Sequence, residues 1–302
     1  MRTLLFCFLT VLTTPALATD FHVLYLGGQS NMDGYGFTRD LPDELKQGVA
    51  SVPLFHGNSE PDGVAANGYG EWGTVMPGHG VGFKASGQGV KRSDRFGVEL
   101  SLAQTLVQAF PEKRFAFIKY SRGGTSIDQL ASAAERFGCW EPDFQGGKGT
   151  GKGINQYDHF LATLNHAYAV SDIDGDGTAD RLIPAGIIWM QGESDGNELE
   201  VAQRYQQNLK RLMDLVRAAF RTDDLPVVVG RIADSGQDAD GVRWDYGKQV
   251  RKAQQDYADD DPKAAWVNTD GYGFSDPYHY NSAGYLDLGQ KFANALIGLW
   301  DE

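Results

Sequence analysis

What most constrains this chain is an alternation. Five short apolar runs lie at residues 21–26, 115–120, 185–190, 226–232 and 264–269, and stretches with helical apolar spacing lie at 98–109, 154–170, 198–220, 244–258 and 283–300. The runs are continuously apolar rather than strictly alternating, which predicts strands buried on both faces of a parallel sheet. Parallel strands need long crossovers, and right-handed crossovers place helices over both faces. The expected class is therefore α/β: a three-layer αβα sandwich around a five-stranded parallel sheet, with its sites outside the carboxyl ends of the strands. No linker, composition break or internal repeat divides residues 19–302, so one domain is expected there. Residues 33–96 break the rhythm with glycines, aromatics and no clear period, and are read as a long ordered loop that walls a site. Residues 146–153 read as a second glycine-rich connection.

Residues 1–18 resemble a secretory leader. Arg2 gives a short positive start, residues 4–12 are apolar, and Ala16-Leu17-Ala18 offers a cleavage site after Ala18. The expected location is outside the cytoplasm, periplasmic or extracellular. The apolar run is too short to span a bilayer, and cleavage leaves no cysteine at the new end for a lipid, so no membrane anchor is expected. Cleavage also removes Cys7 and leaves Cys139 alone, which excludes an internal disulfide. The net charge of −13 makes the chain a poor match to a phosphate backbone, so nucleic acid is excluded as an expected partner.

The chemistry begins where the first run ends. Gly27-Gly28-Gln29-Ser30 places a hydroxyl just beyond a strand, on a turn that glycine allows to be tight. A serine there needs a base and donors for an oxyanion. Asp276-Pro277-Tyr278-His279 follows the last run, and its spacing lets Asp276 orient the His279 ring. Two more polar patches follow strands: Ser121-Arg122-Gly123-Gly124-Thr125-Ser126, whose glycine N–H groups suit an oxyanion, and Gln191-Gly192-Glu193-Ser194-Asp195, whose Gln191 amide is a second candidate donor. Four such motifs on one sheet edge point to acyl transfer.

In this order GQSNM, the GGTS patch, QGESD and D-x-x-H resemble the SGNH hydrolases, in particular the branch of sialate O-acetylesterases and acetylxylan esterases. The resemblance spans nearly all of residues 21–298 and implies a flavodoxin-like SGNH hydrolase fold that removes O-acetyl groups from carbohydrate. It implies Ser30 as nucleophile, His279 as base, Asp276 as its acid, and an oxyanion hole from the Ser30 and Gly124 (or Gly123) N–H groups and the Gln191 side chain. Glu193 is read as holding Gln191 or Arg122 from the layer behind, with competition with Asp276 for the place of the triad's acid as the alternative, and Arg122 as neutralising nearby carboxylates, with a substrate contact as the alternative. Val98 stands where this branch usually has Pro, which leaves the role of Glu99 open.

No cofactor is expected for catalysis. Asp172, Asp174, Asp176 and Asp180 form a D-x-D-x-D-G loop suited to a structural calcium ion, although Ile183 occupies the place of the closing Glu of a full EF-hand. His56 and His79 of the long loop read as surface residues, with contact to substrate as the alternative, while Trp72, Trp140, Tyr35 and Tyr278 are candidates for stacking on sugars. The expected partner is an acetylated carbohydrate. A lipase or thioesterase on the same scaffold would need an apolar acyl channel, and a non-catalytic sugar-binding protein would not react with a serine-directed inhibitor.

Overall fold

The computed structural model describes residues 18–58, 70–86, 89–146 and 155–301. The expected leader therefore lies, apart from Ala18, outside the described residues, as does most of the second glycine-rich connection. Seven strands form the central sheet: β1 (Asp20–Gly28), β2 (Val49–His56), β3 (Trp72–Val75), β4 (Arg114–Ser121), β5 (Arg181–Met190), β6 (Val227–Gly230) and β7 (Ala264–Val267). Their order is β7-β6-β5-β1-β4-β2-β3. Six run parallel, and β3 closes one edge antiparallel to β2.

All five apolar runs became strands of this sheet, but two of its seven strands come from the segment read as a loop, which also forms two small two-stranded sheets. The reason is local. Pro53 sits at a shift in register, Ala50 and Ser51 are exposed, and only Leu54, Phe55 and His56 pair with β4. A strand interrupted by proline carries a weak apolar signal, and a proline is tolerated here because the ladder is already irregular. β3 is a four-residue edge containing Gly73. The five-stranded expectation is corrected to seven.

The five long helices are α1 (Glu99–Ala109), α2 (Gln156–Ala169), α3 (Leu199–Phe220), α4 (Gly247–Asp260) and α5 (Ser282–Asp301). β1 shows how they cover the sheet. The Tyr25 ring meets Phe160 of α2 at 4.6 Å and Phe220 of α3 at 6.1 Å. The next residue back, Leu24, lies on the opposite face, where it and Leu296 of α5 both crowd Gly186. One helical layer is thus α2, α3 and α4, and the other pairs α1 with α5.

A buried ion pair crosses from this scaffold toward the sheet edge. Lys119 of β4 donates to Glu99 Oε2 at 2.9 Å, and to the carbonyls of Asp33 and His79 at 2.9 Å each. Glu99 Oε1 accepts the Gly97 N–H at 2.9 Å, and both side chains are fully buried. Burial pushes the Glu99 carboxyl up, but Lys119 and the Gly97 N–H outweigh it and hold the group below its usual range. This gives Glu99 its role: it fixes the ammonium that pins the end of the serine turn.

Candidate active site

Gly28 ends β1 opposite Ser121 on one side and Met190 on the other, so three motif-bearing turns leave the sheet at one level. Gly28 has φ +142°, and a Cβ there would overlap the Met190 carbonyl, so only glycine fits this close approach. The chain then turns into a short helix, Ser30–Asp33, with the Gln29 N–H donating to Met190 O at 2.9 Å. On the neighbouring turn, the Arg122 N–H donates to Gly28 O at 3.1 Å. A Cβ on Gly123 would stand 3.3 Å from Ser30 Cβ and 3.2 Å from Asp33 Oδ2, so the glycine loop lies directly against the serine turn.

Ser30, Gly123, Gly124, Arg122 and His279 share one cavity of about 580 Å³. That volume lies within the range of small-ligand sites. His279 Nδ1 lies 2.8 Å from Asp276 Oδ2, and Asp276 Oδ1 accepts the His279 N–H at 2.9 Å. Tyr35 stacks on the His279 ring with centroids 3.5 Å apart and the two planes nearly parallel. Burial lowers the His279 pKa more than the bond to Asp276 raises it, so the ring stays below its ordinary 6.5. Asp276 is held below the usual carboxylate range because its bonds to His279 and the local N–H groups outweigh burial.

The structure does not bring Gln191 to the cavity wall. Its side chain is fully buried, and its Nε2 is already directed at Asp195 Oδ2 (2.5 Å), Gln29 Oε1 (3.2 Å) and Thr125 O (3.2 Å). The Tyr205 hydroxyl lies 3.0 Å from Gln191 Oε1. The expectation that this amide donates to the oxyanion is therefore corrected: it ties together the turns behind the cavity. Burial pushes the Asp195 carboxyl up to about 8 against the bonds from Gln191 and the Ile127 N–H.

Glu193 holds neither Gln191 nor Arg122. Its Oε1 accepts the Asn31 amide at 2.6 Å, and burial pushes its pKa up to about 7 although that bond opposes the shift. No hydrogen bond joins it to His279, and among the described residues Asp276 is the carboxylate bonded to the His279 ring. Arg122 stands beside Asp33, whose carboxyl burial raises while Ser121, Lys119, Arg122 and the Gly123 N–H pull it down. Asp33, a cavity-lining carboxylate, was not singled out in the sequence, where it reads as an ordinary Asp-Gly turn.

Other expectations divide. Tyr278 is 42% exposed at the cavity, where Arg243 lies over its ring at 4.5 Å. Trp140 is fully buried against Trp189, and Trp72 donates to Ala167 O beside Phe55, so neither reaches the cavity. His56 and His79 are not surface residues: both are buried, with their Nδ1 atoms 3.2 Å apart and Phe83 stacked on each. The carboxylates of Asp172, Asp174 and Asp176 converge within 4.8 Å of one another, whereas Asp180 turns to accept the Ile173 N–H at 2.7 Å. No helix among the described residues is long and apolar enough to cross a membrane.

Solved structures share this fold at low identity. A protein of Arabidopsis thaliana aligns at TM-score 0.64 with 19% identity, over 93% of this chain and 99% of its own. A carbohydrate acetylesterase from Xanthomonas citri gives 0.61 and 17% over 93% of this chain, which spans only 57% of that longer protein. NanS gives 0.55 and 13% over 95% of this chain and 99% of its own. No curated protein matches the sequence. The profile of one family, carbohydrate esterase, sialic acid-specific acetylesterase, matches residues 20–298, and the chain belongs to that family of carboxylic ester hydrolases.

Proposed function

We propose that this enzyme is an exported serine esterase that removes O-acetyl groups from carbohydrate through an acetyl-enzyme. The observation that carries the reading is the Asp276–His279 pair, 2.8 Å apart, opening on the same cavity as Ser30. Ser30 Oγ attacks the acetyl carbonyl while His279 Nε2 takes its proton, and the imidazolium that forms is stabilised by Asp276. The oxyanion is received by the main-chain N–H groups of Ser30 and Gly124. The sugar oxygen leaves with the proton from His279, and water then repeats the sequence on the acetyl-enzyme. The matching family is one of sialic acid-specific acetylesterases, Xanthomonas citri has a carbohydrate acetylesterase on a similar fold, and the sequence motifs resemble the branch that includes acetylxylan esterases. Sialate and acetylxylan esters are accordingly the first substrates to test.

Acetate release from a panel of acetylated glycans is the direct assay. The wild-type enzyme should deacetylate at least one of them and Ser30→Ala none. Equal release by both proteins would end the serine mechanism. Export rests on the leader-like residues 1–18. For the Asp172–Asp176 cluster we propose a structural calcium ion, distant from the chemistry. Millimolar calcium should then raise Tm without changing kcat, and calorimetry showing neither binding nor stabilisation would dismiss it.

A further inference from the structure

We propose that Asn31, which follows the nucleophile, is a positioning residue that clamps the main chain on both sides of His279 and so sets the approach of base to serine. The inference rests on the serine-esterase reading above. Asn31 is buried and all four hydrogen-bonding positions of its amide are used. Its Nδ2 donates to Tyr278 O at 3.1 Å, and its Oδ1 accepts the Tyr280 N–H at 3.3 Å. Those two groups flank His279 in the chain. The remaining positions fix which way the amide faces: Nδ2 donates to Glu193 Oε1 at 2.6 Å, and Oδ1 accepts from the Tyr285 hydroxyl at 2.7 Å.

The chemistry of the site asks for an amide. A carboxylate at this position has no donor for Tyr278 O and would face Glu193 with like charge, while an apolar side chain leaves both main-chain groups unpaired in a buried place. The clamp joins turns almost 250 residues apart in the chain. β1 and α5 hold the two turns indirectly, through the sheet and the helical layer, and Tyr35 stacks on the face of the His279 ring; the Asn31 amide is what hydrogen-bonds the serine turn to the main chain on both sides of His279. Glu193 acts one step further back, and its value lies in accepting from Asn31 rather than in its charge. Burial pushes its pKa up to about 7, so the site disfavours the charge, while Oε1 still accepts the Asn31 amide at 2.6 Å.

Catalysis is sensitive to small errors in such an approach: a misplacement of about 1 Å costs roughly a hundredfold. The test uses the full enzyme and two readouts, steady-state hydrolysis of an acetyl ester and the rate of inactivation by a fluorophosphonate that reacts with the activated serine. Asn31→Ala should lower kcat and the inactivation rate together by about a hundredfold, with KM within about threefold of wild type, at a temperature where circular dichroism shows the fold intact. Retention of both rates within about threefold, while Ser30→Ala is dead, overturns the clamp alone. An active Ser30→Ala enzyme instead removes the serine reading and the clamp with it. If Asn31→Ala does not fold, Glu193 decides. Glu193→Gln keeps an acceptor for the amide and should be at least about tenfold faster than Glu193→Ala, and equal rates overturn the proposal.

Discussion

At the scale of single residues, Ser30, Asp276 and His279 are legible by spacing, and together with the glycine patch at 121–126 and the turn at 191–195 they point to acyl transfer. Spacing could not say which way an amide turns. Gln191 follows β5 directly, where a donor is expected, yet the buried Asp195 carboxyl and Gln29 draw its Nε2 inward. Asn31 went unremarked for the converse reason, since its partners lie at the far end of the chain. Two predictions belong at this scale. Because His279 is held below 6.5, and because the base must be neutral to accept a proton, kcat/KM should fall as pH drops through a midpoint below 6.5 and be level above it. A midpoint near 8 would contradict this assignment. Gln191→Ala leaves Asp195 without its closest donor, so urea unfolding should show a loss of about 1–3 kcal/mol. An unchanged unfolding midpoint would mean that the inward amide network contributes nothing.

Among the elements, the legible strands are those whose runs stay mainly apolar, interrupted only by single residues such as His22 and Lys119. β2 was hidden by Pro53 and by exposed Ala50 and Ser51, and β3 by its length and Gly73. Helix limits moved by no more than a few residues; α2 starts at Gln156 because Asn155 caps it, its side chain accepting the Asp158 N–H at 2.6 Å. The element-level feature that sequence could not foresee is the Lys119–Glu99 pair, since the run 115–120 reads as a buried strand straight through Lys119 and nothing in the spacing names Glu99 as its partner. Removing one partner leaves a buried charge, so Glu99→Gln or Lys119→Met should each cost about 3–5 kcal/mol in chemical denaturation. The variant should also lose activity, because Lys119 holds Asp33 O at the end of the serine turn. A cost under about 1 kcal/mol would show that the pair is not what holds α1 to β4.

For the molecule as a whole, topology accounts for the site. β1 is central, with β4 and β5 on either side, so the serine turn, the glycine loop and the Gln191 turn leave adjacent strands at one edge. The Asp276–His279 loop then arrives from β7 on its way into α5. Export is a prediction at this scale too: the protein recovered from outside the cytoplasm should begin at Thr19 by mass spectrometry, and an intact Met1 start would refute cleavage. The claim on which the account stands is that one alcohol becomes covalently acylated. Rapid quenching of the enzyme during turnover of an acetyl ester, followed by peptide mapping, should find a single acetyl group on the peptide containing Ser30 and none in Ser30→Ala. Acetyl found on another residue, or turnover with no acylated peptide in either protein under conditions that slow deacylation, would contradict it.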